Sequence, residues 1–138
     1  MASHDMTVAP DASGIPPLME WVERHCQQAG MAGELIFKLM LAVEEAATNV
    51  VSYAFAEMPP PHRFRVRLDI DDGRCAVELV DNGRPFDPST ATLPDTATPL
   101  EEREPGGLGI HLLRNMADRL EYRRENGENR LQIETVRR

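Results

Sequence analysis

The chain has 138 residues, a formal net charge of -8 at neutral pH and two cysteines. A chain of this length folds as one ordinary domain and buries roughly two-thirds of its unfolded surface without staples; Cys26 and Cys75, far apart and in no C-x-x-C pattern, read as small buried side chains rather than a disulfide or a zinc site. The acid excess excludes nucleic acid, whose phosphates need clustered Lys and Arg, and the lack of an apolar run near ~18 residues or of a secretory start excludes a membrane span and predicts a cytoplasmic protein.

Residues 1–6, M-A-S-H-D-M, read as a tag remnant or disordered start and are set aside together with His4, which leaves 7–138 as a single domain. Thr7 to Ala9 fits a short edge strand. Pro16 and Pro17 introduce a helix from Leu18 to Ala29, with Leu18, Trp21, Val22 and Cys26 at helical spacing and Gly30 as its stop. From Gly33 onward Leu35, Ile36, Leu39, Met40, Val43, Ala47, Val50, Val51 and Ala54 recur at three- and four-residue intervals. They predict a second helix of about 22 residues, or about 33 Å, reaching Phe55, and Pro59 to Pro61 end it. Phe64 to Ile70 and Cys75 to Val80 alternate in polarity about Asp71-Asp72-Gly73 and read as a hairpin. Between Arg84 and Pro105 five prolines and no apolar period predict a long loop. A third helix follows Gly106-Gly107, over Ile110 to Ala117, and then two strands, Leu120 to Arg124 and Arg130 to Val136, turned at Asn126-Gly127. This order predicts an α+β fold, a two-layer α/β sandwich with helices on one face of a mixed, mostly antiparallel sheet.

Three constellations on these elements carry polar chemistry. On the second helix, 100° spacing sets Lys38, Glu45, Asn49 and Ser52 in one stripe opposite Ile36, Val43, Val50 and Ala54. A carboxylate one turn from an amide suits a Mg2+ and phosphate site, with the amide oxygen ligating the hard cation and the carboxylate accepting a proton; a solvated helix face has the same pattern. At the end of the hairpin, Asp81-Asn82-Gly83 offers a carboxylate to an exocyclic purine amine, with a residue lacking Cβ beside it. The same tripeptide is turn chemistry, but Pro85 and Pro88 forbid a central strand directly after it, which suits a binding site at a strand end opening into a loop. Before the third helix, Gly106-Gly107-Leu108-Gly109-Ile110 presents backbone N–H groups and a helix N-terminus to an anion, donors that an acidic chain otherwise lacks. It is neither a dinucleotide fingerprint nor a P-loop, and a flexible hinge has the same composition.

Taken together, V-E-E-A-A-T-N-V-V-S-Y-A-F, V-E-L-V-D-N-G-R-P-F-D-P and G-G-L-G-I-H-L-L-R-N-M-A-D resemble the N, G1 and G2 boxes of the Bergerat-fold ATPases, the histidine-kinase-like ATPase superfamily. Within it the chain looks most like the anti-sigma factor serine/threonine kinases of bacterial partner-switching systems. The match runs from about Leu35 to Thr135 in the family's order and spacing. It implies ATP and Mg2+ as cofactors, with Glu45 as general base and Asn49 holding Mg2+ between the phosphates. It further implies that Asp81 and Gly83 read adenine, that Gly107 and Gly109, with Leu108 and Ile110, surround the phosphates, and that the Thr135 hydroxyl reaches adenine through water. The loop from Arg84 to Pro105 becomes a lid. The implied reaction transfers the γ-phosphoryl group to a Ser or Thr of a small anti-anti-sigma antagonist, Glu45 taking the hydroxyl proton, and that phosphate then decides whether the chain holds the antagonist or a sigma factor. A homodimer is the family's usual state.

Arg84 and Arg103 are the local candidates for balancing γ-phosphate charge, and a solvated arginine reads the same. His25, His62 and His111 show no metal-ligand spacing. Three other functions stay open on the residues: an ATP-binding switch without kinase activity, the catalytic domain of a histidine kinase, for which no preceding phosphoacceptor helix is seen, and a purely structural domain.

Overall fold

A computed structural model describes residues 2–72, 74–87 and 117–136. Its elements are β1 (Ala2–Thr7), α1 (Ile15–Gln28), α2 (Gly33–Asn49), β2 (Phe64–Ile70), β3 (Arg74–Asp81), β4 (Arg119–Glu125) and β5 (Glu128–Val136). The sheet order is β1-β2-β3-β5-β4, and every pairing among the described strands is antiparallel. The mixed sheet expected from the sequence is therefore antiparallel in its described part, where β2–β3 and β4–β5 are hairpins and hairpins can pair in no other sense.

Period-two alternation gives the sheet two different faces. Phe64, Val66, Leu68 and Ile70 of β2 are buried with Cys75, Val77 and Leu79 of β3 and Leu131 and Ile133 of β5, and they form one core with Leu18, Val22, Leu39, Val43 and Ala47 of the helices. The opposite face is a lattice of ion pairs, among them Arg130–Glu78 at 3.4 Å, Arg65–Glu128 at 3.7 Å and Arg74–Glu134 at 3.7 Å. Asn126 and Gly127 both adopt positive φ, 52° and 76°, and close the β4–β5 hairpin as the Asn-Gly dipeptide demands.

The segment set aside as a disordered start is β1. It pairs with β2 from Ala2↔Ile70 to Thr7↔Arg65, so the edge strand begins earlier than Thr7 to Ala9. Its burial is shallow, with His4 and Met6 half-buried on one face and Met6 packed against the core; the ladder to β2 holds it, and polar side chains suit an edge. The His4 ring also stacks on His25 of α1, with centroids 3.7 Å apart.

The second helix has the predicted extent but changes pitch. It is α-helical to Asn49 and continues as a π turn over Val50–Ala54, a form that recurs at functional sites. The expected third helix over Ile110 to Ala117 and most of the loop from Arg84 to Pro105 fall outside the described residues. No described helix is long and apolar enough to cross a membrane.

Candidate functional site

Asn49 is the last α-helical residue before the π turn and is 2% exposed. Neither the nitrogen nor the oxygen of its amide has a hydrogen-bond partner among the described residues. Leaving such a group buried and unpaired costs about 1–3 kcal/mol, so the solvated-face reading of the polar stripe fails at this residue. A neutral oxygen with no other use fits a hard cation that takes few protein ligands and draws the rest from phosphate and water.

Glu45, one turn earlier, is half-buried, and its Oε1 also lacks a partner among the described residues. Burial, with the Glu44 charge adding to it, pushes its carboxyl up to about 7. At neutral pH such a group both accepts and releases a proton readily. The rest of the stripe is ordinary surface: Lys38 pairs with Glu34 at 3.9 Å and Ser52 is exposed.

Asp81 ends β3 at 3% exposure. Its Oδ1 accepts from the Gly83 backbone N–H and from Asn129 Nδ2, each at 2.9 Å, and no described residue donates to its Oδ2. Burial pushes this carboxyl above the usual range against the pull of Asn129, the Gly83 N–H and Arg124.

Asn129 is the site residue that the sequence reading missed. The β3–β5 register sets it opposite Asp81, and it is 3% exposed. Besides holding Asp81, its Nδ2 donates to the Arg84 carbonyl at 2.8 Å, while its Oδ1 accepts from the Tyr122 hydroxyl at 2.5 Å, Arg124 Nη1 at 3.2 Å and the Phe86 N–H at 3.3 Å. One side chain thus ties the end of β3, the chain beyond it and β4 together. The signal was present: the Asn-Gly turn fixes the hairpin register, and Asn129 is the polar member of an alternation that continues through Leu131 and Ile133.

Thr135 does not join this cluster. It lies on the same face of β5 and is buried, but it pairs with Cys75, six positions beyond Asn129 and about 20 Å away at the strand rise. The register thus sets Asn129, not Thr135, beside Asp81.

Gly83 is required by the helix. A Cβ there would stand 2.4 Å from the Ala54 carbonyl oxygen and 2.6 Å from its carbon. The same carbonyl accepts from the Arg84 N–H at 2.8 Å, and the Tyr53 carbonyl accepts from Arg84 Nε at 2.8 Å. Both carbonyls lie at the end of the π turn, where the Tyr53 oxygen also accepts the Ala56 N–H at 3.3 Å. Arg84 is anchored by them, and Phe86 stacks on Tyr53 with centroids 5.4 Å apart.

Asn49 and Asp81 line one cavity of about 20 Å³ together with Ala46, Phe86, Tyr122 and Asn129, room for about one water. Glu45 is outside this lining, one turn along α2. Gly107, Leu108, Gly109 and Ile110, with Arg103 and His111, lie outside the described residues.

The family described as the histidine kinase-like ATPase domain matches residues 8–135. The chain is 35% identical over 115 residues to the serine/threonine-protein kinase BtrW of Bordetella bronchiseptica, spanning 82% of this chain and 79% of that protein. It is 25% identical over 128 residues to the serine-protein kinase RsbW of Halalkalibacterium halodurans, spanning 89% and 76%. Its fold resembles the crystal structure of the RsbU and RsbW domains of Rv1364c from Mycobacterium tuberculosis with a TM-score of 0.70 at 11% identity, over all of this chain and 34% of that one. That likeness concerns the fold alone, and this chain spans about a third of that longer protein.

Proposed function

The chain belongs to the histidine kinase-like ATPase domain family, and from that membership we propose that it is an anti-sigma factor serine/threonine protein kinase, one that binds Mg-ATP and phosphorylates a small anti-anti-sigma antagonist in a cytoplasmic partner-switching system. The names of its relatives, serine/threonine-protein kinase and serine-protein kinase, support the reaction class. The observation that carries the reading is the buried, partnerless amide of Asn49 lining one cavity with the half-satisfied carboxylate of Asp81.

Bound Mg-ATP supplies the transferable phosphoryl group and neutralises the charge that gathers on it. The chain's own residues do the rest. Asn49 offers its amide oxygen to the cation from a buried position. Asp81, its Oδ1 held by Asn129 and the Gly83 N–H, presents Oδ2 to an exocyclic amine; adenine has that donor where guanine carries a carbonyl, which would set acceptor against acceptor. Glu45 takes the proton from the attacking Ser or Thr hydroxyl, a task suited to a carboxyl near 7. Gly107 to Ile110 supply backbone N–H groups to the phosphates. A purine is larger than the present cavity, so its entry displaces the Phe86 and Tyr122 side of the lining.

Two substitutions test the assignment. Asn49→Ala is expected to abolish Mg-dependent ATP binding in calorimetry, whereas Glu45→Ala keeps binding and loses phosphate transfer to the antagonist encoded beside the gene. Wild-type protein that binds Mg-ATP and leaves no phosphoserine or phosphothreonine on that antagonist is a switch without kinase activity, and an acid-labile autophosphorylated product points to a histidine kinase. No heat of ATP association at millimolar concentration ends the nucleotide reading.

A further inference from the structure

Where α1 and α2 lie side by side a groove of about 400 Å³ opens between them, and the proposed chemistry makes no use of it. Ile36, at 7% exposure, forms its floor, and half-buried Met40 and Leu41 extend it along α2. Glu23 of α1 and Glu44 of α2 are exposed on its rim. Phe37 lines it while 63% exposed, so the ring contributes little to the fold. A single apolar side chain on a surface is ordinary, but this one stands beside further apolar side chains in a concave site, the setting in which interface anchors become buried.

The groove runs toward the proposed base. Phe37, Leu41 and Glu45 are spaced four residues apart and form one row on α2, so about 12 Å of helix axis separates the exposed ring from that carboxyl. Glu44, on the rim, directly precedes it in the chain. A protein that brings a hydroxyl to Glu45 covers this stretch of α2. Charge narrows the occupant further, because both charged groups on the rim are acidic and the chain carries a net charge of -8. A second copy docked about a two-fold axis would set the patch against itself, acid facing acid, and like charges across an interface cost affinity. A partner with Lys or Arg flanking an apolar anchor meets the same rim with opposite charge.

We propose that this groove is the docking site of the phosphoacceptor protein, which seats an apolar side chain against Phe37, Met40 and Leu41 and sets Lys or Arg opposite Glu23 and Glu44 while its Ser or Thr reaches Glu45, one turn beyond Leu41. The inference rests on the kinase reading above and adds where the protein substrate is gripped. None of the groove residues lines the cavity shared by Asn49 and Asp81. Contacts in the groove are made before and during transfer alike, so they govern KM for the protein substrate and not kcat.

The test is steady-state phosphorylation of the antagonist encoded beside the gene by the wild type, Phe37→Ala and Glu23→Lys, with calorimetry of Mg-ATP binding on each. Phe37→Ala is expected to raise KM for the antagonist on the order of 10- to 100-fold, with kcat at saturating antagonist, Mg-ATP affinity and Tm all level. Glu23→Lys should raise KM by a smaller factor that added salt diminishes, and it decides alone if Phe37→Ala does not fold. Unchanged KM in both variants, while the wild type transfers phosphate, overturns the groove and leaves the kinase reading standing. A raised KM in Phe37→Ala alone keeps the docking site and overturns the basic flank. A fall in kcat or in Mg-ATP affinity at unchanged KM overturns the inference, as does a wild-type oligomer in light scattering that Phe37→Ala dissociates at unchanged KM, which gives the groove to a second copy. A wild type that binds Mg-ATP and transfers no phosphate ends the kinase reading and this inference with it.

Discussion

At Asn49 the fold carries a polar group it does not need for stability, and at Asn129 it depends on one. Removing the unpaired amide in Asn49→Ala is expected to leave Tm level or slightly raised, even as Mg-dependent binding disappears. Asn129→Ala strips partners from Asp81, the Arg84 carbonyl and the Tyr122 hydroxyl, and urea denaturation should register a loss of about 2–4 kcal/mol. Glu45 adds a pH signature. Its folded-state carboxyl is raised to about 7, so the folded chain holds a proton that the unfolded chain has released over the window between the ordinary glutamate range and that value. The stability it contributes is whole below that window and lost as pH rises through about 7. Thermal denaturation from about pH 5 to 8 should therefore show the wild type falling relative to Glu45→Gln, while the phosphoryl-transfer rate climbs over the same range as the base ionises. Glu45 and Asn49 were legible because helical spacing alone puts them one turn apart. Thr135 was placed by the resemblance alone, whereas position along a strand depends on a register that the turn and a partner strand set together, and a shift of a few residues moves a side chain from one end of the sheet to the other.

Among the elements, the join between α2 and β3 is the tightest. Gly83→Ala drives a methyl against the backbone carbonyl of Ala54, which has no rotamer to yield, so a destabilisation of about 1–3 kcal/mol is expected. Chemical denaturation without nucleotide should detect it, separating this role from any contact with a base. The extent of α2 was readable because its apolar repeat runs to Ala54, but the π turn was not: three- and four-residue spacing tolerates one wider turn without breaking the pattern. β2, β3 and the β4–β5 hairpin followed directly from alternation and turn dipeptides, since hairpins are local. β1 escaped notice for the opposite reason, being largely polar and only shallowly buried, and paired with a strand nearly sixty residues away.

For the whole molecule, β1 matters as cover. Deleting residues 2–7 uncovers the outer hydrogen-bonding edge of β2, and the shortened chain should melt earlier and show concentration-dependent self-association in light scattering. The ion-pair lattice on the outer face contributes little, since exposed pairs are each worth ~0–1 kcal/mol, and the burden of stability falls on the helix-facing core. The turn over Val50–Ala54 has a consequence of another kind. Losing a single residue there would restore the common helical pitch and swing the end of the turn by roughly 100° about the axis, carrying the carbonyls of Tyr53 and Ala54 away from Arg84. Length variation among kindred chains should accordingly gather after the turn, between Glu57 and His62, and spare the five residues of the turn itself, whose number is a fixed count inherited with the strand end they must meet.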